Sequence, residues 1–101
     1  MPVRIMVFAR IKPGEGEAFE AAYKEVTSKV KGTPGHIRDE ILKDTDDPES
    51  YILLAEWESR ERFLEWETDP IHMATTTPMR PYWAGRVERH IYEVRYRLGE
   101  D

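Results

Sequence analysis

Apolar and polar residues alternate over residues 2–11, PVRIMVFARI, with Val3, Ile5, Val7, Ala9 and Ile11 on one side and Arg4, Met6, Phe8 and Arg10 on the other. Period two is the signature of a strand. The second side is mixed, Met6 and Phe8 standing between arginines, which suits either the wall of a pocket or interface or a partly exposed sheet surface. KPGEG then turns the chain, and Glu15 and Glu17 favour a helix start. Over 15–31 the period changes: Phe19, Ala22, Tyr23, Val26 and Val30 form one apolar helical stripe. Glu20 with Lys24, and Glu25 with Lys29, are i, i+4 pairs on the wet side. Gly32 and Pro34 end that helix. Residues 36–43, HIRDEILK, return to a strand, with Ile37 and Ile41 on one face and His36, Arg38, Glu40 and Leu42 on the other. His36, at the strand start, is expected to be exposed.

DTDDPES, 44–50, is a polar turn joining two strands. Its acidic side chains lack the glycine and distant bidentate glutamate of a calcium loop. In YILLAEW, 51–57, every residue but Glu56 is apolar or aromatic, the pattern of a central strand covered on both faces. Ser59 can cap a following helix, on which Phe63 and Trp66 share a face. Asp69 caps a further helix with Pro70 at its first position. That helix runs out in Thr75-Thr76-Thr77-Pro78, and 79–85, MRPYWAG, reads as an aromatic loop. From 86 to 98 a long strand alternates with charge on both faces, as where a strand overruns its own sheet and reaches another subunit.

The order is βαββαβ with an extra helical turn or two before the last strand. This is the ferredoxin-like α+β arrangement, one antiparallel four-stranded sheet with helices on one face. The opposite face needs a cover that a single domain spanning 1–101 does not supply. Two copies with their sheets face to face would supply it, and a closed pair is the default oligomer.

Composition narrows the class. Fifteen basic against twenty acidic residues leave a net charge of −5, which argues against a nucleic-acid partner. No apolar run approaches the roughly 18 residues of a membrane span, and the start is too short and charged for a signal peptide, so a soluble cytoplasmic protein is expected. Cysteine is absent, which removes disulfides, thiolate metal sites and cysteine nucleophiles. Asn and Gln are absent too, while 35% of residues are charged and seven are Pro, a composition shared with heat-adapted proteins.

KPGEGEAFEAAY, TPGHIRDEIL and YILLAEWESRERFLEWETDPIH together resemble the antibiotic biosynthesis monooxygenase family of the dimeric α+β barrel superfamily, over nearly the whole chain. The resemblance implies a homodimer whose sheets enclose a pocket beside the helices of each subunit. It also implies a small aromatic or quinone-type ligand. Some such relatives oxygenate polycyclic aromatics without metal or flavin, and others bind or degrade haem. Oxygenation without a cofactor needs a dry site, a base to deprotonate the substrate and a group to hold the anion. Matching those roles here are His72 and His90 as base and Arg38 or Arg86 as anion holder, with Phe8, Trp66 and Trp83 as aromatic walls. His72 and His90 read equally well as interface histidines, and Trp57 as core or interface packing. Haem-degrading relatives carry an asparagine before the first-strand arginine and a histidine ten residues after the helix tryptophan. This chain has Ala9 before Arg10, and Thr76 ten residues after Trp66, so no cofactor is expected and haem is disfavoured. Certain quinone-forming relatives also use an asparagine, which this chain lacks throughout.

Overall fold

A computed structural model describes residues 2–99. Strand β1 (Val3–Arg10) leads through helix α1 (Gly16–Val30) to β2 (His36–Lys43) and β3 (Ser50–Trp57). Helices α2 (Arg60–Glu67) and α3 (Pro70–Thr76), a 3₁₀ segment (Thr77–Tyr82) and β4 (Glu88–Glu93) complete the chain. The four strands form one antiparallel sheet in the order β2-β3-β1-β4, the ferredoxin-like topology.

Local chemistry places the helices. Phe19, Tyr23, Val26 and Val30 of α1 are all buried, as its stripe requires. The Glu25–Lys29 pair forms at 3.9 Å, whereas Glu20 turns inward and accepts the Tyr51 hydroxyl at 2.7 Å instead of pairing with Lys24. Ser59 caps α2 by accepting the Arg62 N–H at 3.2 Å, and Asp69 caps α3 by accepting the Ile71 N–H at 2.9 Å.

Strand β2 departs from simple alternation. His36 lies opposite Trp57 and Arg38 opposite Glu56, so Ile37 is an extra residue, a β-bulge. The bulge rotates His36 onto the helix-covered face beside Asp39 and Ile41 and leaves Ile37 exposed. His36 is therefore not exposed: its side chain is 8% accessible and its ring meets Trp57 at 5.2 Å. Strand β4 is also shorter than its pattern. It pairs with β1 up to Val3 opposite Glu93, and the Val94 N–H still donates to the Pro2 carbonyl at 3.0 Å. Tyr96 and Leu98, beyond that point, are well exposed. The aromatic loop before β4 is half ordered as the 3₁₀ segment, and Trp83 then bridges to Ile11.

The sheet's two faces differ. On the helix side, buried residues fall into two clusters, one around Ile11, Phe19, Tyr51 and Met79, the other around Val3, Ile5, Trp57 and Phe63. On the helix-free side, Leu42, Ile52 and Phe8 line up across β2, β3 and β1, next to a row of Leu54, Met6 and His90. Glu56 on this side is only 8% exposed and is held by Arg4 Nη2 at 2.9 Å and Arg38 Nε at 3.5 Å.

Candidate functional site

A cavity of about 200 Å³ separates the two buried clusters, floored by the sheet and roofed by the helices. Its floor is apolar, with Ile5, Val7, Leu53 and Ala55 from β1 and β3. Polar groups enter it in two sets, on opposite sides of this floor.

The first set comes from α3 and the 3₁₀ segment. Asp69 and Pro70 start α3, and His72 one turn in lines the cavity with its ring edge-on to Trp66, centroids 4.3 Å apart at 90°. Burial pushes the imidazole below its ordinary value of 6.5; Glu67 opposes this and the Arg80 charge reinforces it. The ring is therefore neutral at pH 7. Thr76, one turn on and buried, donates to the His72 carbonyl at 2.9 Å and accepts from Arg80 Nη2 at 2.8 Å. Arg80 in turn lies 5.3 Å over the Trp83 ring. Arg80 Nε and Trp83 Nε1 are both buried with no hydrogen-bond partner among the described residues, and both residues line the cavity. Two buried donors left without a partner among the described residues single out this wall of the cavity. Arg89 borders the chamber, gripping Glu67 at 2.7 and 3.0 Å with its guanidinium 5.7 Å over Phe63.

The second set lies under α1. Asp39 of β2 and Tyr23 of α1 both line the cavity. His36 Nε2 donates to Asp39 Oδ2 at 2.9 Å.

Of the residues suggested by sequence, His72, Trp66 and Trp83 are brought together on the cavity wall. Arg38, His90 and Phe8 lie on the other face of the sheet. There Arg38 pairs with Glu56, and His90 stands edge-on to Phe8 at 5.9 Å, beside Tyr92. Arg86 is exposed ahead of β4, while its neighbour Val87 lines the cavity. Arg80, Asp39 and Tyr23 were not singled out. Arg80 stands between Pro78 and Pro81 in the stretch that reads as a loop, which hid its 3₁₀ placement four residues after Thr76. Asp39 carried no readable signal, because the bulge decides where the strand's side chains point.

Among the described residues no group of three or more His, Asp or Glu side chains is arranged to hold a metal ion, and no helix is long and apolar enough to cross a membrane. The fold and the aromatic-walled cavity between sheet and helices define a ferredoxin-like domain of the α+β class. The chain belongs to the antibiotic biosynthesis monooxygenase family, whose model matches residues 2–77. It is 30% identical to SchA of Streptomyces halstedii over 83 residues, 82% of this chain but 22% of SchA, so it spans only about a fifth of that relative's length. It is 27% identical over 70 residues to a mycobilin-producing haem oxygenase of Mycobacterium tuberculosis, covering 69% of this chain and 67% of that protein. In structure it matches SnoaB, a cofactor-independent oxygenase from Streptomyces nogalater, with a TM-score of 0.83, 21% identity and 98% of each chain covered.

Proposed function

We propose that this domain is a cofactor-independent monooxygenase of aromatic, quinone-forming small molecules and that it works as a homodimer. The observation that carries this reading is a histidine held towards its neutral form on the wall of a mostly apolar cavity, beside two buried donors without a partner among the described residues, Arg80 Nε and Trp83 Nε1. His72 takes a proton from an activated C–H of the substrate, a role that suits an imidazole uncharged at pH 7. The electrons left behind spread onto the substrate's carbonyl oxygen, and Arg80 and Trp83 hold that developing oxyanion. The electron-rich carbanion then passes an electron to O₂, and the two radicals join in a C–O bond. His72 returns its proton to the terminal peroxide oxygen, and loss of the remaining C–H proton then breaks the O–O bond, leaving a ketone and releasing water. One oxygen atom ends in the product and one in water. The dry, aromatic walls keep the anion from being reprotonated by solvent.

Anthrone is a suitable probe, because its oxidation to anthraquinone follows this course and is read as oxygen uptake. Wild type is expected to turn it over, and His72→Ala to lose about 10² to 10⁴ of that rate. Turnover untouched in His72→Ala would refute the assignment of the base.

The dimer is favoured by the helix-free face, where Phe8, Leu42 and Tyr92 are 36%, 41% and 46% exposed on a four-stranded surface. Sedimentation at micromolar concentration tests it, a stable monomer being the adverse result. A second reading, haem binding, draws on the mycobacterial relative and on His72 as the histidine of the cavity. Against it stands the packing of the His72 ring edge-on to Trp66, centroids 4.3 Å apart. A Soret shift on haemin titration that is lost in His72→Ala would support this second reading instead.

A further inference from the structure

The oxygenation chemistry draws on the α3 side of the cavity and leaves Asp39 without a role. Asp39 enters from the edge strand β2. The row through it runs to Ala55 on β3, Ile5 on β1 and Ile91 on β4, so it stands three strand spacings, roughly 14 Å, from the opposite edge. One carboxylate oxygen, Oδ2, is taken by His36 at 2.9 Å. The other, Oδ1, has no hydrogen-bond partner among the described residues, and the side chain is only 15% exposed. His36 is itself immobilised, its side chain 8% exposed and its ring against Trp57 at 5.2 Å. The Tyr23 hydroxyl, on the same side of the cavity, likewise has no partner among the described residues. Burial, then the charges of Asp39 and Glu40, push that phenol well above its ordinary value, so it stays a proton donor. Burial also raises the Asp39 carboxyl, against the pull of His36. This polar pair has spare hydrogen-bonding capacity on the β2 side of a chamber whose polar groups His72, Arg80 and Glu67 come from the segment 67–80.

We propose that Asp39, oriented by His36 and flanked by Tyr23, is a specificity-determining contact that reads a ring hydroxyl of the ligand at the β2 end of the cavity. The inference rests on the cavity being the substrate site, and it narrows the substrate class to a flat aromatic ketone with a hydroxyl on the ring away from the reacting carbon. The bulge at Ile37 supports a built arrangement. In a regular strand, residues three apart point to opposite faces, and only the extra residue lets His36 reach Asp39.

The test compares 9,10-anthraquinone with 2-hydroxy-9,10-anthraquinone, neither of which consumes oxygen. All three tryptophans, Trp57, Trp66 and Trp83, line the cavity, so binding is read from quenching of their fluorescence. Wild type is expected to bind the hydroxylated ring about tenfold more tightly. Asp39→Ala is expected to bring the two affinities within about twofold of each other while leaving that for the plain ring nearly unchanged. Asp39→Asn, which keeps an acceptor for His36, serves if the alanine variant does not fold, and should narrow the preference to about threefold. Equal binding of the two rings by wild type, a full preference surviving in the folded variants, or binding of neither ring overturns the inference. Oxygen uptake with anthrone separates it from the reading it rests on. Uptake without a hydroxyl preference removes the role of Asp39 alone, and a hydroxyl preference without uptake removes the oxygenase reading alone.

Discussion

Replacing Trp57 with alanine is expected to cost about 3–5 kcal/mol of folding free energy. The indole is 1% exposed and ties three elements together, with ring contacts of 5.2 Å to His36, 5.8 Å to Phe63 and 5.8 Å to Trp66. A tryptophan so placed buries about 200 Å², which at about 25 cal/mol per Å² is about 5 kcal/mol. That figure is an upper bound, since the unfolded chain already hides some of the ring. Trp57 also borders the cavity, so the vacated volume joins an existing void that the neighbours cannot collapse to fill. For a domain whose whole stability is about 5–15 kcal/mol, the loss is a large share of it. Urea unfolding followed by far-UV circular dichroism measures it, at one fixed protein concentration because dimerisation would add a concentration dependence. The melting temperature should fall by at least about 12 °C. Trp57→Phe, which keeps one ring against Phe63 and Trp66, should recover half the loss or more. A cost in the alanine variant below about 1.5 kcal/mol, with the denaturant slope unchanged, would refute the view of Trp57 as the joint between sheet, α2 and cavity.

Other outcomes follow from single features. Because burial holds the His72 imidazole below 6.5, oxygen uptake with anthrone should be level at and above pH 7 and decline in acid, where the base becomes protonated. The same displacement affects stability. The unfolded chain protonates His72 at higher pH than the folded one, so stability drops as pH falls through 6.5 towards the folded value, and melts from pH 8 to pH 5 should show a shallower decline in His72→Ala. Gly35→Ala should lose about 2 kcal/mol or more by chemical denaturation. Gly35 has φ +90°, and an added Cβ would fall 2.6 Å from Arg62 Cβ. Phe8→Glu should turn a sedimenting dimer into a monomer, since it places a charge at the β1 end of the apolar row on the helix-free face.

Most of the architecture was legible because its signals are local. The stripe of α1, the caps at Ser59 and Asp69 and the alternation of β1 each express a period or a hydrogen bond made within a few residues. What was hidden depends on distant partners. Alternation in β2 carries no mark of where an extra residue enters, so the sidedness of His36 and Asp39 followed only from pairing with β3. The charged alternation after Glu93 has the form of a strand, but the ladder to β1 ends at Val3 opposite Glu93. The candidate site divides in the same way. His72, Trp66 and Trp83 come from one contiguous helical region and converge, whereas Phe8, Arg38 and His90 depend on which side of the sheet the helices cover. Arg80 was obscured by the prolines around it, which break an α-helix but fit the tighter 3₁₀ turn that aims it back at Thr76.

The void between the two buried clusters has one more consequence. A hydrophobic centre in two halves has no keystone of its own, so a snugly fitting guest completes the interior and shares in holding the molecule together. Ligand identity then becomes readable without any knowledge of the reaction. A compound present at a hundred times its dissociation constant should stabilise the fold by about 2.7 kcal/mol, enough to pick the natural guest from a library by heating alone.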